Sequence, residues 1–585
     1  MPYLIIENFG AGLDTRRHPM MAPPGTLRRC NNAHITRGGE ISKRRAFVPT
    51  YVLPSGTRNL AVAQNRLHVF GSEAEPSGMP AQVTYQQLEH PSAVPLDRVL
   101  SYDTYDGKIY AVARFTDGSI FHYYDGERVT DWYDGRARAS FTCVSGQAPE
   151  GVDPDPPTTP DSIDAVTVDG IDILGGPVSW GYSAEETAQL VVDAINGFVS
   201  SPNYTASRFN RTVNIIAEEP GVEPNNLPVI ITPGGGAQVN PTDTLMLGGV
   251  DSEELVPGTY VKTAQNKMYA VSGSLMHYSG IDQPTRWTED VGVTGSGFIN
   301  MENQDGQSEV LVALERYYSR MAVLGRRSIQ IWNIDVDPSI NQQVQVLRNS
   351  GTICARSVQQ VGDNDVYFLA DSGVRSVRAR DSSTAGQVND VGAPIDETMV
   401  AYVQALGPAT VSEGVAVIEP IAGRYWLALG GQVFTFSQFP GNKVAAWTTY
   451  TPGFSITDFA VIDDALYCRS GDTIYLAGGV DLDAFDTSLV EVELPLLDAE
   501  KPAHFKTWSA IDLVCQGTWR VFAGFEPLAP EARELIAEIS APTLSQQRIP
   551  LAGYGTHASI LLENDLAEDA RLSNFVLHYE LADVG

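Results

Sequence analysis

From about residue 58 one phrase recurs along the chain: a short alternating strand, a tight turn, and a second alternating strand that ends in an aromatic. Apolar residues at period two mark half-buried strands, and a turn between two such runs makes a hairpin. The clearest copy runs from Gly107 to Gly126. There Asp117-Gly118 separates Lys108–Phe115 from Ser119–Tyr124, and Trp132 closes the unit. Asp-Gly is expected to supply the positive φ of a two-residue primed turn. Related copies span 59–70, 260–271 running on to Trp287, 309–332, 357–377, 415–447 and 459–476. Seven units spaced at roughly 30 to 50 residues, once one insertion is set aside, match the blades of a repeat architecture. The expected fold class is therefore mainly β, a β-propeller of six or seven blades. The end fragments near Phe70 and Leu476 are suited to share a closing blade, which leaves few strand edges unpaired.

The repeat breaks between about 140 and 256. That stretch opens on the proline- and acid-rich run Glu150 to Pro160, which cannot pack a core and reads as a linker. Beyond it, strands are expected at 165–174, 213–217 and 229–232. Ser183 and Glu186 form a capping box for a helix ending near Asn196, with Gly197 as its stop. Thr187, Leu190, Val191, Ala194 and Ile195 line one face of that helix, so the insertion reads as a small α+β domain. It is very acidic, with seventeen Asp and Glu against Arg208 and Arg211 alone, and is expected to project outward. After residue 486, the alternating runs 507–522 and 572–581 suggest a β-sandwich-like C-terminal domain. The expected boundaries are 1–57 (N-terminal arm), 58–139 (propeller, first part), 140–256 (insertion), 257–485 (propeller, second part) and 486–585 (C-terminal β domain).

With 585 residues, 43% hydrophobic and 19% charged, the chain can bury several cores. Its formal charge of −32 argues against tight or sequence-reading contact with a polyphosphate. The first fifty residues run the other way. Arg16, Arg17, Arg28, Arg29, Arg37, Lys43, Arg44 and Arg45 face only Glu7, Asp14 and Glu40, a cluster that reads as internal ion pairs or as a docking patch. Cys30, Cys143, Cys354, Cys468 and Cys515 are odd in number and far apart, which suits reduced thiols better than disulfides or zinc. No run approaches the roughly 18 apolar residues that span a bilayer, and the first residues lack a signal-peptide pattern.

Signatures of hydrolases, zinc proteases, P-loops and dinucleotide folds are missing from the sequence. A propeller glycosidase would need paired carboxylates beside aromatics. Asp103, Asp106, Asp282 and Asp290 lie near aromatics, yet with 71 acidic residues such adjacency is expected by chance. His122 and His277 occupy matching places in their repeats, where packing is the simpler role. Asp481, Asp483 and Asp486 only faintly resemble a calcium loop. Gly10, Gly12, Gly38 and Gly39 read as turns. No catalytic, cofactor-binding or metal residue is assigned, and the chain is expected not to be an enzyme.

The opening Glu7-Asn-Phe-Gly-Ala-Gly-Leu-Asp-Thr15, with Pro24-Gly-Thr-Leu27, Asn31-Asn-Ala33 and Gly38-Gly-Glu-Ile-Ser-Lys-Arg-Arg45, resembles the start of podovirus tail nozzle proteins, also called tail tubular protein B or packaged-DNA stabilisation proteins. Asp282–Trp287, Arg326–Trp332, Ala355–Val358, Phe368–Val374 and Ala446–Tyr450 continue the resemblance over nearly the whole chain. What it implies is a virion protein of a short phage tail, assembled in the host cytoplasm. It would form a homo-hexameric ring below a connector (adaptor) ring, with a channel for genomic DNA ejection and outer surfaces for tail fibres or spikes. The alternative from another class is a tail propeller that binds or hydrolyses host surface polysaccharide.

Overall fold

The computed structural model describes residues 2–132, 135–149, 160–209, 211–251, 257–288, 295–301, 309–362, 365–379, 386–543 and 547–582. The expected linker at 150–159 and Asp290 lie outside them. The chain forms two compact units, one of residues 1–98, 326–328 and 347–585, the other of 99–325 and 329–346.

The fold is mainly β and its repeating element is the propeller blade, found seven times among the described residues, six times as a separate sheet and once as the end of a larger one. Blade 1 comprises Arg58–Ala63, Arg66–Gly71 and Val83–Gln87, the last strand running parallel to its neighbour. Blade 2 comprises Leu96–Tyr105, Lys108–Phe115, Ile120–Tyr124 and Glu127–Arg128. Blade 3 is Tyr260–Ala264, Lys267–Ser272, Leu275–Tyr278 and Gly297–Asn300, and blade 4 is Leu311–Tyr317, Arg320–Gly325, Ser328–Asn333 and Gln342–Arg348. Blade 5 is Gln359–Val361, Asp365–Ala370, Gly373–Ala379 and Gly386–Asn389. Blade 6 is Val415–Ile418, Tyr425–Leu429, Gln432–Phe439 and Val444–Tyr450. Blade 7 takes Asp458–Ile462, Ala465–Ser470 and Thr473–Ala477 from one end of the chain and Phe47–Val52 from the other.

The turn chemistry sits in a different hairpin from the one expected. Two successive positive φ values occur at Gln64-Asn65, Asp106-Gly107 and Gln265-Asn266, which join the first two strands of blades 1, 2 and 3. At Asp117-Gly118 only Gly118 has positive φ, and Phe115 closes a longer loop onto Ser119. Asn, Asp and Gly tolerate the left-handed region, so short primed turns fall where two of them or a close substitute stand together.

Within each unit neighbouring blades bury facing sides against one another, and blade 7 does so on both faces. Leu60, Leu67 and Val69 of blade 1 pack with Ala460 and Ile474 of blade 7, and Trp426 and Tyr450 of blade 6 pack with Phe459 and Leu466 of blade 7. Tyr110 and Val112 of blade 2 meet Val261, Met268 and Ala270 of blade 3, with Trp287 filling the wedge. A helix at Asp396–Ser412, which the repeat reading passed over, links blades 5 and 6; it breaks at Gly407 (φ 77) before Pro408. Proline lacks the amide and clashes with the preceding turn, so the break falls there.

Residues 1–57 are not an arm. Tyr3–Ile6 and Ile41–Lys43 pair with Arg571–Leu581, while Arg29–Asn31 bridges blade 6 and Val490–Glu493. One sheet therefore runs from blade 6 through Arg29–Asn31 and Val490–Glu493 to Ser559–Asn564, Trp519–Gly524 and Glu534–Ile539. Facing it, Lys506–Gln516, Arg571–Leu581 and Ile549–Gly555 complete the β-sandwich-like domain around Trp508, Leu513, Val521, Ile560 and Phe575. The N-terminal strands carry apolar alternation too short to fold alone, and they bury it in a sheet that the C-terminus leaves incomplete.

The inserted α+β domain begins earlier than residue 140, because Arg136–Ser145 already pairs with Thr212–Pro220. Its helix, Ala184–Gly197, buries Thr187, Ala188, Val191, Val192 and Ile195, whereas Leu190 is 40% exposed. The buried stripe is thus turned by about one position from the expected one. Ser183 accepts a hydrogen bond from the Glu186 amide at 3.1 Å, while the Glu186 carboxylate reaches the Tyr182 amide at 2.7 Å. Ser183→Ala is expected to cost the inserted domain about 1 kcal/mol. Hydrogen exchange should show it as faster opening of the amides at 185–188, and unchanged protection there would refute the cap.

Candidate functional site

The first strands of successive blades lie side by side within each unit, and their polar side chains reach across to one another. In the first unit Arg356 donates to the Asp458 carboxylate at 2.8 Å and to the carbonyls of Glu413 and Thr457 at 3.1 Å. Asn59 donates to the same Asp458 oxygen at 2.9 Å, and Arg98 is paired with Glu413. Buried Arg469 donates to the carbonyls of Thr57, Asn59 and Gly471 at 2.7, 2.7 and 2.9 Å, joining blade 7 to blade 1. These groups line a cavity of about 420 Å³ in which Arg58, Arg98, Arg356 and Arg469 stand against Asp97, Glu413, Asp458 and Asp472. Charge is balanced locally and spent on structure.

The second unit repeats the arrangement with other residues. Ser101 donates to the Thr259 carbonyl and accepts from the Val261 amide at 3.0 Å. Lys262 of blade 3 pairs with Glu315 of blade 4 at 2.8 Å, and Arg316 donates to the Thr263 carbonyl at 2.6 Å. Burial works against the Lys262 charge, but Glu315 outweighs it and holds the pKa above the ordinary lysine value.

The described acids weighed for sugar chemistry each have a local structural contact, and the charges of Asp106 and Asp282 both act on the Tyr105 hydroxyl. Asp103 accepts from the Thr263 amide at 2.7 Å and the Thr104 amide at 2.8 Å, tying blade 2 to blade 3. Asp106 is a turn residue with φ 47, and Asp282, with φ 52, accepts from the Tyr105 hydroxyl at 3.0 Å. His122 and His277 occupy the third strands of blades 2 and 3, both buried. The Gly258 carbonyl can only accept, so His122 donates Nε2–H to it at 2.9 Å and accepts from Tyr110 through Nδ1. Trp132 packs tilted against both rings, its centroid 4.1 Å from that of His122 and 5.2 Å from that of His277. Among the described residues no group of three His, Cys, Asp or Glu is placed to hold a metal. Asp486 instead pairs with Arg44 at 2.9 Å and accepts from Ser488.

The expected glycine turns do more than turn. Gly12, with φ 62, lies in a parallel strand pair, and a Cβ there would sit 2.7 Å from Ala446. At Gly39, with φ 81, it would strike the Asn8 side chain. All five cysteines are free and buried. Burial pushes the Cys143, Cys354 and Cys515 thiols up to about 11, where the thiolate is scarce.

Most of the N-terminal cations are consumed internally. Arg29 pairs with Glu491 at 2.7 Å, Arg44 with Asp486, Arg17 with Asp14, and Lys43 donates to Asn564 at 2.9 Å and to the Leu566 carbonyl at 2.6 Å. Arg37 lies over the Phe439 ring. Arg45 alone among the buried or half-buried members of the group has no hydrogen-bond or ion-pair partner for its guanidinium among the described residues, and it lines a second cavity, of about 340 Å³. Sequence patterns gave no sign of either cavity, because each is assembled from segments hundreds of positions apart.

No protein-family model matches the chain, and no curated protein matches it. Solved structures that it resembles include the major allergen Mala s 1 of Malassezia sympodialis, with 11% identity over 44% of this chain and 87% of that one, at a TM-score of 0.26. The Pan2 WD40 domain of Neurospora crassa matches with 8% identity over 73% and 97%, at a TM-score of 0.28. Hsv2 of Kluyvelomyces marxianus matches with 9% identity over 43% and 68%, at a TM-score of 0.24. Backbone agreement this slight bears on nothing the chain does.

Proposed function

We propose that this chain is a structural subunit of a short phage tail, the nozzle through which the genome leaves the particle. The observation that carries the reading is the order of nozzle-like phrases along the chain, from Glu7–Thr15 to Ala446–Tyr450. What supports it is where those phrases lie and how polar groups are used. Phe368–Val374 makes the hairpin of blade 5, Ala446–Tyr450 the last strand of blade 6, and Gly38–Arg45 the weave into the C-terminal sheet. The innermost strands spend their charges on neighbouring blades, as a wall under mechanical load requires. A chain at −32 repels a polyphosphate, so DNA would slide past a ring of such subunits without adhering. In this reading six copies form the ring, a connector ring sits above it, and fibres or spikes attach outside.

Mass photometry and electron microscopy of the purified full chain, alone and mixed with its connector, test the proposal. Particles of six subunits with an axial hole are the expected result. A species that stays monomeric in both conditions and releases reducing ends from host surface glycan would overturn it.

A further inference from the structure

The cavity of about 340 Å³ lies wholly within the first unit, where the N-terminal weave, blades 6 and 7 and the start of the C-terminal region meet. Its walls divide sharply by chemistry. Trp426, Tyr450, Leu466, Ala477, Leu482 and Phe485 give a mostly apolar lining, with aromatic faces among it. Into this lining come His34, Arg45 and Arg424.

The donors of these three groups are only partly used. The Tyr450 hydroxyl contacts His34 Nδ1 at 2.9 Å. Burial keeps the Tyr450 proton on oxygen. His34 Nε2 has no hydrogen-bond partner among the described residues, so the imidazole offers a free donor there in the tautomer that carries its proton on Nε2. Arg424, 9% exposed, donates Nε–H to the Ser437 hydroxyl at 3.1 Å and sets one Nη 3.5 Å from Glu419, while its other Nη has no hydrogen-bond partner among the described residues. Arg45 has no partner for its guanidinium. Burial first, and then the Arg424, Arg45 and Arg571 charges, push the His34 pKa down, so three guanidiniums act on this point of the cavity. Those acids are otherwise occupied or peripheral. Glu419 accepts from the Ile421 and Ala422 amides, Asp569 chelates Arg571, and Asp464 and Asp483 are exposed.

An apolar pocket with a few convergent donors is the usual design of a small-molecule site, and planar guanidiniums fit oxyanions best. We propose that this cavity binds a small molecule made of an oxyanion and a flat apolar ring, an aryl phosphate or aryl carboxylate, with the anion on Arg45, Arg424 and His34 and the ring against Trp426 and Leu466. This site is independent of the nozzle reading. By holding the weave, two blades and the C-terminal region at once, the bound molecule would cement their junction.

Calorimetric titration of the full chain with phenyl phosphate, at fixed ionic strength, tests the proposal. One saturable site per chain is expected, with inorganic phosphate and phenol each binding at least about tenfold more weakly because each offers half of the contacts. Arg45→Met should weaken phenyl phosphate by about tenfold or more. Ala477→Leu, which narrows the cavity without touching a charge, should abolish the heat and decides the matter if the first variant misfolds. No saturable heat with the unmodified chain, equal binding of phenol, or affinity unchanged in both variants would overturn the site.

Discussion

Arg469→Met is expected to lower the stability of the first unit by about 2 to 4 kcal/mol, chiefly because the buried Thr57 carbonyl is left without a donor at roughly 1 to 3 kcal/mol, with smaller losses at the half-buried Asn59 and exposed Gly471 carbonyls. The guanidinium is 3% exposed and makes four hydrogen bonds, to the carbonyls of Thr57, Asn59 and Gly471 and to the Thr57 hydroxyl at 3.0 Å. Methionine fills the volume but donates to none of them. Lysine keeps the charge yet cannot span the fork, so Arg469→Lys should recover only part of the loss. Urea unfolding, followed by hydrogen exchange at 465–477 and 58–71, reads the effect. A change below about 1 kcal/mol would show that blades 1 and 7 do not depend on this side chain.

The second large effect is acid sensitivity of the second unit. Burial pushes His122 down to about 4, and His277, which also feels His122 and Arg138, down to about 3. Both lie below the ordinary value near 6.5, so the unfolded chain takes up these protons first. The stability that the neutral rings contribute is complete above pH 6.5 and is lost as pH falls from there towards 4. At pH 5 each histidine should cost about 2 kcal/mol relative to neutral pH. Near-ultraviolet circular dichroism, to which Trp132 and Trp287 beside the two histidines contribute, should show a transition between pH 6 and 4, and His277→Phe should move it to lower pH. A signal unchanged from pH 7.5 to 4 would sink the argument.

Much of the fold was legible because it is written at period two. Each blade carries an antiparallel hairpin, and the capping residue Ser183 sits where its type predicts. What escaped has two physical causes. Long-range pairing leaves no local mark, so the use of Tyr3–Ile6, Arg29–Asn31 and Phe47–Val52 as strands of distant sheets could not be read from their neighbours in sequence. The helix Asp396–Ser412 was lost for the opposite reason, since its buried contacts are few, Met399 and Val411, and the Gly407-Pro408 break hides its period. The basic cluster shows the limit on site reading. Composition marks Arg29, Arg44 and Arg45 alike, and only geometry reveals that Glu491 and Asp486 neutralise the first two while Arg45 faces a cavity.

Phe47–Val52 completes blade 7 by pairing with Thr473–Ala477, about 420 residues later in the chain. During translation this segment leaves the ribosome early and waits, an open edge with Phe47 and Val48 ready to zip onto any passing strand. This blade can therefore be completed only after residue 477 has been made, and its loop-closure entropy is recovered only then. Premature termination anywhere before residue 473 leaves the early strand without its mate, so truncated products should collect in inclusion bodies while the full-length chain stays soluble. A permuted chain beginning near residue 456, with the old ends joined, would cut the separation of these two strands from about 420 residues to about 150, and should complete the blade faster.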